Sequence, residues 1–201
     1  MNATDRNPSR RCRLHEVARV QAGYLSRSPV RGSAKGTHRL LQSRDVSAAG
    51  VCVDTAVRFH PERNTELYRV SAGDILVVAR GQDHRANLID ADLDDVLVSS
   101  VFHIIRPRTD LVRPGYLAWW LNLPDVQTGI KVGSPGTGIG LLRRPTIEQV
   151  PVDLPPLDVQ ERIAAVMRLS RRRNALQAQL DSKRQQMIHA ICRQAVRQDK
   201  E

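Results

Sequence analysis

A glycine-rich tract, Gly133-Ser134-Pro135-Gly136-Thr137-Gly138-Ile139-Gly140, is the first place where this sequence could do chemistry. Successive backbone N–H groups in such a loop can cradle phosphates. The tract lacks the Gly-Lys-Ser/Thr ending that supplies a phosphate-binding lysine and a magnesium-binding hydroxyl, so a mobile loop is expected rather than a nucleotide site. Six histidines, His15, His38, His60, His84, His103 and His189, form no ligand-spaced pair and sit in no nucleophile or metal motif. Asp90, Asp92, Asp94 and Asp95 crowd carboxylates together. They lack the EF-hand pattern and its closing glutamate, and a solvated turn is expected there. Cys12, Cys52 and Cys192 are odd in number and far apart, which reads as free thiols of a reducing cytosol. No glycine-rich loop of a cofactor-binding methyltransferase is present. The remaining chemistry is binding, with no metal and no cofactor implied.

Charge says what could be bound. The chain carries 31 Lys and Arg against 21 Asp and Glu, for a net charge of +10. Residues 1–45 hold ten cations and three acids, residues 46–157 eleven and thirteen, and residues 158–201 ten and five. Basic ends around a balanced middle form an electrostatic footprint for a polyanion, and nucleic acid is the expected one. Aromatic residues make up only 3% of the chain, which argues against a platform that stacks single-stranded bases.

The elements that must position these charges follow from patterning. Residues 1–13 are polar and basic and read as a disordered N-terminus. No apolar run reaches the length needed to span a bilayer, so a cytoplasmic protein is expected. Leu14 to Val20 begins ordered structure, with Gln21-Ala22-Gly23-Tyr24 as its turn. Ser26 to Lys35 mixes loop formers with positive charge and reads as an exposed cationic loop. Short strands are expected over residues 37–46 and 51–53. The clearest strand is Asp74–Arg80, a β-branched run between Gly73 and Gly81. A second, Asp95–Ile105, should pair with it across a polar connection. Tyr116 to Leu123 reads as a short helix whose Trp119 and Trp120 anchor a core.

From Leu154-Pro155-Pro156-Leu157 a helical pattern runs without Gly or Pro to the end of the sequence. Prolines suit a helix start, and Asp158 and Glu161 complement the positive end of the helix dipole. Val159, Ile163, Val166, Leu169, Leu176, Leu180, Met187, Ile188 and Ile191 recur on one side, interrupted by Arg171, Arg172, Arg173 and Asn174. Such a stripe packs against another helix or as a coiled coil. Lying along its own domain is the other reading. The expected organisation is thus a compact body over residues 14–153 and a long helical arm over residues 154–201.

Several of these segments together resemble the DNA specificity (S) subunit of type I restriction-modification systems. They are Leu14-His15-Glu16-Val17-Ala18 with Gly23, Arg44-Asp45-Val46, Gly73-Asp74-Ile75-Leu76-Val77 with Arg80-Gly81, Val98-Ser99-Ser100 before Phe102, Pro114-Gly115-Tyr116-Leu117 with Trp119, Gly138-Ile139, and Leu154-Pro155-Pro156-Leu157 with Gln160 and Ile163-Ala164. The family usually carries two target-recognition domains, each followed by a long helix, and the two helices pair antiparallel. This sequence shows one such unit and no internal repeat. The resemblance implies an α+β fold, a β-rich target-recognition domain followed by a long C-terminal α-helix that pairs as an antiparallel coiled coil. It implies a non-catalytic subunit that chooses the DNA site, while a methyltransferase (modification) subunit methylates adenine and a motor-nuclease subunit cleaves. A homodimer through Ile163, Val166, Leu169, Leu176, Leu180, Met187 and Ile191 would read an interrupted palindrome. The alternatives are pairing with a second, different half-specificity subunit, or a degenerate remnant.

Phosphate contacts position such a protein and base contacts give it specificity, and arginine is the commonest reader of guanine. The candidate DNA-binding cations are Arg27, Arg31, Lys35, Arg39 and Arg44, then Arg80, Arg85, Lys131, Arg143 and Arg144. A coiled-coil adaptor that binds protein or RNA without reading DNA sequence is the reading from another class.

Overall fold

The computed structural model describes residues 10–47, 50–62, 64–81, 83–133 and 140–198, with side chains as far as residue 195. In chain order the elements are β1 (Arg10–Arg13), α1 (Leu14–Val17), β2 (Ala18–Ala22), β3 (His38–Leu41), β4 (Val46–Ser47), β5 (Gly50–Val51), β6 (Val57–Phe59), β7 (Ile75–Val78), β8 (Ala86–Leu88), β9 (Val96–Val98) and β10 (Phe102–Pro107). They continue with α2 (Pro114–Leu121), α3 (Pro124–Val132), α4 (Arg144–Glu148), β11 (Pro151–Leu154) and α5 (Leu157–Gln198). The chain divides into two units, Met1–Ala165 and Val166–Glu201. No helix among the described residues is long and apolar enough to cross a membrane. The α+β class expected from the sequence is the one observed.

The first unit is built on a four-stranded sheet of order β2-β10-β7-β8, all antiparallel. Alternation along its strands sorts residues between two cores, because successive strand side chains point to opposite faces. Val20, Ile75, Val77 and Ile105 face one core with Leu117 and Leu121 of α2, Ile130 of α3 and Ile147 of α4. Leu76, Phe102 and Ile104 face the other, where they meet Leu41, Val96 and Val98. A second sheet, β6-β3-β9, supplies those partners and includes a parallel pair, β3 with β9. β9 is buried at every residue, as expected for a strand covered on both faces. A third cluster of Tyr24, Leu40, Phe59 and Leu97 forms on the other face of the second sheet.

Four sequence expectations change. Residues 10–13 are not disordered: β1 pairs antiparallel with β11, Cys12 opposite Val152, and the Cys12 side chain is buried between outward-facing arginines. Composition hid this strand because three of its four residues are charged. Leu154, expected at the start of the helical arm, is instead the last residue of β11 in the body. Gln21 and Ala22 extend β2 instead of turning, and the Gly23 N–H donates to the Phe102 carbonyl. The run Asp95–Ile105 is two strands. Ser99 and Ser100 break it: the Ser99 carbonyl accepts from the Phe102 N–H at 3.0 Å and its hydroxyl from Val101 N–H at 3.3 Å, carrying the chain from the second sheet to the first. The expected pairing with β7 belongs to β10 alone. The connection between them also contains β8, which pairs with β7.

Gln160 fixes the start of α5. Its side chain is 1% exposed, its Oε1 accepts from the Arg113 N–H at 2.8 Å, and its Nε2 donates to the Pro155 carbonyl at 2.8 Å. A Cβ on Gly115 at the head of α2 would come within 2.9 Å of the Ala164 Cβ, so helix and body meet closely there. Ile163, half-buried, packs against the body core.

Candidate nucleic-acid interface

The glycine tract is held at both ends. On one side β7 runs into Ala79, Arg80 and Gly81, and residues 140–142 lie alongside: Leu142 N–H donates to the Ala79 carbonyl at 2.8 Å, and Gly81 N–H to the Gly140 carbonyl at 3.1 Å. Arg80 and Leu141 form an antiparallel bridge between those bonds. Gly140 is needed for this approach, because a Cβ there would meet the Gly81 carbonyl oxygen at 3.1 Å. Two buried imidazoles brace the arrangement. His103 Nε2–H donates to the Leu142 carbonyl at 2.7 Å, and His84 Nδ1 lies 2.8 Å from the Val78 carbonyl oxygen. Burial pushes the His103 imidazole pKa down, with the Leu142 carbonyl opposing it. At the other end the Thr146 hydroxyl donates to the Gly133 carbonyl at 3.4 Å. Residues 134–139, expected as a loop, lie outside the described residues.

Five of the ten candidate cations collect at these anchors, all exposed: Arg80, Arg85, Lys131, Arg143 and Arg144. They are not equivalent. Lys131 Nζ stands 2.8 Å from Asp83 Oδ1, and its hydrogen bond and charge hold that carboxyl below the usual range. Arg144 Nε stands 2.7 Å from Glu148 Oε1 within α4. Arg80, Arg85 and Arg143 have no ion pair among the described residues, although Arg85 adds its charge to that of Lys131 in lowering the Asp83 carboxyl.

The other five lie on and beside the second sheet. Arg27, Arg31 and Lys35 sit in the loop before β3 and are exposed. That loop is tied down by Ser28 and the Arg27 N–H on Glu62, by Ser33 N–H on the Arg58 carbonyl at 2.8 Å, and by Arg58 on the Gly36 carbonyl at 3.2 Å. Gly36 is required, since a Cβ would overlap the backbone nitrogen of Phe59. Arg39 lies within β3, donates to the Val53 carbonyl at 2.8 Å, and stands 3.6 Å from Asp54. Its side chain holds the fold. Arg44 is exposed, with its Nε 3.8 Å from the buried carboxylate of Asp45.

Sequence reasoning passed over Arg58, directly opposite Arg39 in the β3–β6 register and bonded to the cationic loop. The Val57-Arg58-Phe59 alternation was the available signal, since it places an arginine on an exposed strand position. Arg106 was also unmarked. It spans Asp74 at 3.5 Å and the carbonyl of Arg69 at 2.7 Å, which makes it a structural cation.

A shallow cleft lined by Arg11, Cys12, Arg13, Glu16 and Pro151 contains a thiol, but burial, and then Glu16, push the Cys12 pKa up and keep it protonated. Among the described residues no group of three or more His, Cys, Asp or Glu is placed to hold a metal. The four aspartates are exposed, and Asp92 accepts from the Ala72 N–H at 2.9 Å.

No protein-family model matches the sequence, and no curated protein matches it. Solved structures do share its fold. The HsdS subunit from Thermoanaerobacter tengcongensis superposes with a TM-score of 0.60 at 18% identity, over 90% of this chain and 41% of that one. A chain from a structural study of complex assembly and conformational transition in the type I R-M system gives 0.65 at 18% identity, over 90% and 43%. The type I restriction-modification S subunit from M. genitalium gives 0.53 at 12% identity, over 83% and 39%. The chain thus spans about two fifths of the length of the structures it matches, and over that length it has the fold of a type I restriction-modification specificity subunit.

Proposed function

We propose that this chain selects the DNA site for a type I restriction-modification enzyme, without catalysing a reaction itself. The observation that carries this reading is the convergence of Arg80, Arg85 and Arg143 on the pinned ends of the glycine tract, in a chain with the specificity-subunit fold. Cations held in no ion pair on braced backbone suit phosphate and guanine contacts, because the bracing lowers the ordering cost of binding. Arg27, Arg31 and Lys35, on the tied loop, supply further contacts to double-stranded DNA. The body reads one half-site. The exposed stripe of α5 pairs with the long helix of a second recognition unit, which spaces two readers along one duplex and offers a docking surface to the modification subunits.

The test is co-expression with a cognate modification subunit in a methylation-free host, followed by genome-wide mapping of methylated adenines by single-molecule sequencing. The expected result is one bipartite motif with a fixed gap. A stable complex that methylates no motif, or a chain that binds RNA and random duplex equally, would move the function to a coiled-coil adaptor.

A further inference from the structure

The apolar stripe of the second unit is exposed along its length: Val166 at 58%, Leu176 at 52%, Leu180 at 53% and Met187 at 59%. Spacings of alternately three and four residues define its seam as Val166, Leu169, Arg173, Leu176, Leu180, Lys183, Met187 and Ala190. Two cations, Arg173 and Lys183, therefore sit inside it. The positions flanking the seam, which face a partner helix across its edges, are Ser170, Arg172, Gln177, Gln179, Arg184, Gln186, Ile191 and Arg193. None is a carboxylate and three are arginine. The one acid between residues 166 and 195 is Asp181, on the outer surface and already engaged by Gln177 at 3.1 Å and Arg184 at 3.5 Å.

From this charge pattern we infer that the helix paired with α5 is not a second copy of α5 but an amphipathic helix bearing carboxylates beside its apolar stripe. In an antiparallel pair of identical helices, the register with the fullest overlap sets Val166 against Ala190, Leu169 against Met187 and Leu176 against Leu180. It also sets Arg173 against Lys183, twice. Shifting by one heptad moves these cations over apolar residues and leaves them desolvated without a counter-charge. In these registers the flanks between residues 166 and 195 set arginine, glutamine, serine and isoleucine against one another, so no flank ion pair forms there. A partner with glutamate at its flanks neutralises Arg172 and Arg193, shares Arg184 with Asp181, and reaches the Arg173 and Lys183 heads, whose aliphatic stems remain in the seam. The inference takes from the proposed function only that the stripe is a pairing face; it does not depend on DNA reading.

The experiment uses the full chain and three synthetic helices of equal length: one with leucine in the seam and glutamate at the flanks, one with lysine at the flanks, and one with the α5 sequence. Sedimentation and titration at about 50 mM salt should find the chain monomeric at micromolar concentration, forming a 1:1 complex with the glutamate helix. The lysine and α5 helices should bind at least about tenfold more weakly, about 1.4 kcal/mol. Leu176→Asp with Leu180→Asp should abolish the complex, and Arg172→Glu with Arg184→Glu should shift preference toward the lysine helix. The inference is overturned by a low-salt dimer that Leu180→Asp dissolves, by equal binding of the three helices, or by glutamate-helix binding that ignores the Leu176 and Leu180 changes. None of these outcomes bears on whether the body reads DNA.

Discussion

Replacing Arg80, Arg85 and Arg143 together by alanine tests the interface with a quantity that fold damage does not imitate. Each phosphate neutralised by a cation releases counterions and contributes about 0.9 to the slope of log affinity against log salt on duplex DNA. Three arginines free of contact ion pairs among the described residues, placed at phosphates, would therefore account for a slope of about 2.7. Over a fourfold rise in salt, from about 50 to about 200 mM, wild-type binding should fall about 40-fold more than binding of the triple variant. Lys131 and Arg144 provide the internal control, because their ion pairs with Asp83 at 2.8 Å and Glu148 at 2.7 Å must be given up before they can engage a phosphate. Alanine at both should change the slope by less than about 1. Fluorescence anisotropy with a labelled random-sequence duplex measures all three slopes without knowledge of the recognised bases. The far-UV circular dichroism of the triple variant should match wild type, since these side chains are exposed. A triple-variant slope within about 0.5 of wild type would place the phosphate contacts elsewhere and refute the assignment.

Gln160→Leu leaves the Arg113 N–H and the Pro155 carbonyl unpaired beside a buried side chain, and should lower unfolding free energy by about 2–4 kcal/mol in urea titrations followed by Trp119 and Trp120 fluorescence. Gly36→Ala should cost about 1–3 kcal/mol and make the loop bearing Arg31 and Lys35 more sensitive to limited proteolysis; unchanged stability would mean that the close approach to Phe59 is relaxed in solution. His103 is held below its ordinary pKa of about 6.5, so between that value and its lower folded value the unfolded chain binds the extra proton and stability falls as pH drops. The urea midpoint should decline from pH 7 to pH 5 in wild type and decline less in His103→Gln, which keeps a donor for Leu142; equal declines would assign the titration to other groups.

The parts of the fold that could be read from the sequence were those in which one principle dominates. The Asp74–Arg80 run is apolar on both faces between glycines, and it became β7; the proline-led pattern after residue 154 became α5. The failures come where long-range pairing outweighs local composition. Arg10–Arg13 reads as a charged tail until Val152 is brought beside Cys12, from 140 positions along the chain. At Ser99–Ser100 a β-rich run divides because Tyr24 inserts its backbone there, donating to the Val98 carbonyl and accepting from Ser100 N–H. The interface behaves the same way. Composition identified arginines in loop sequence, but only the fold separates Arg39, committed to Val53 and Asp54, from Arg80, which lies on a surface strip with no counter-ion among the described residues.

A count of basic residues therefore overstates the DNA interface and obscures a second electrostatic surface. Arg39, Arg44, Lys131 and Arg144 are matched by acids in the body, which leaves Arg27, Arg31, Lys35, Arg80, Arg85 and Arg143 as cations with no ion pair to break among the described residues. The cations of α5 are unlike these, because they alternate with leucine and methionine at helical spacing. A polyanion gains nothing from Leu176, Leu180 and Met187, whereas a helix with its own apolar stripe gains about 1.5–3 kcal/mol for each such side chain fully buried. Salt should accordingly separate the two surfaces. Raising it to about 500 mM shrinks the Debye length below about 5 Å and removes most duplex binding, while apolar burial leaves helix pairing weakened yet measurable. Loss of both at the same salt concentration would mean that the α5 stripe contributes charge but little apolar contact, and the seam assigned to Leu176 and Leu180 would then be wrong.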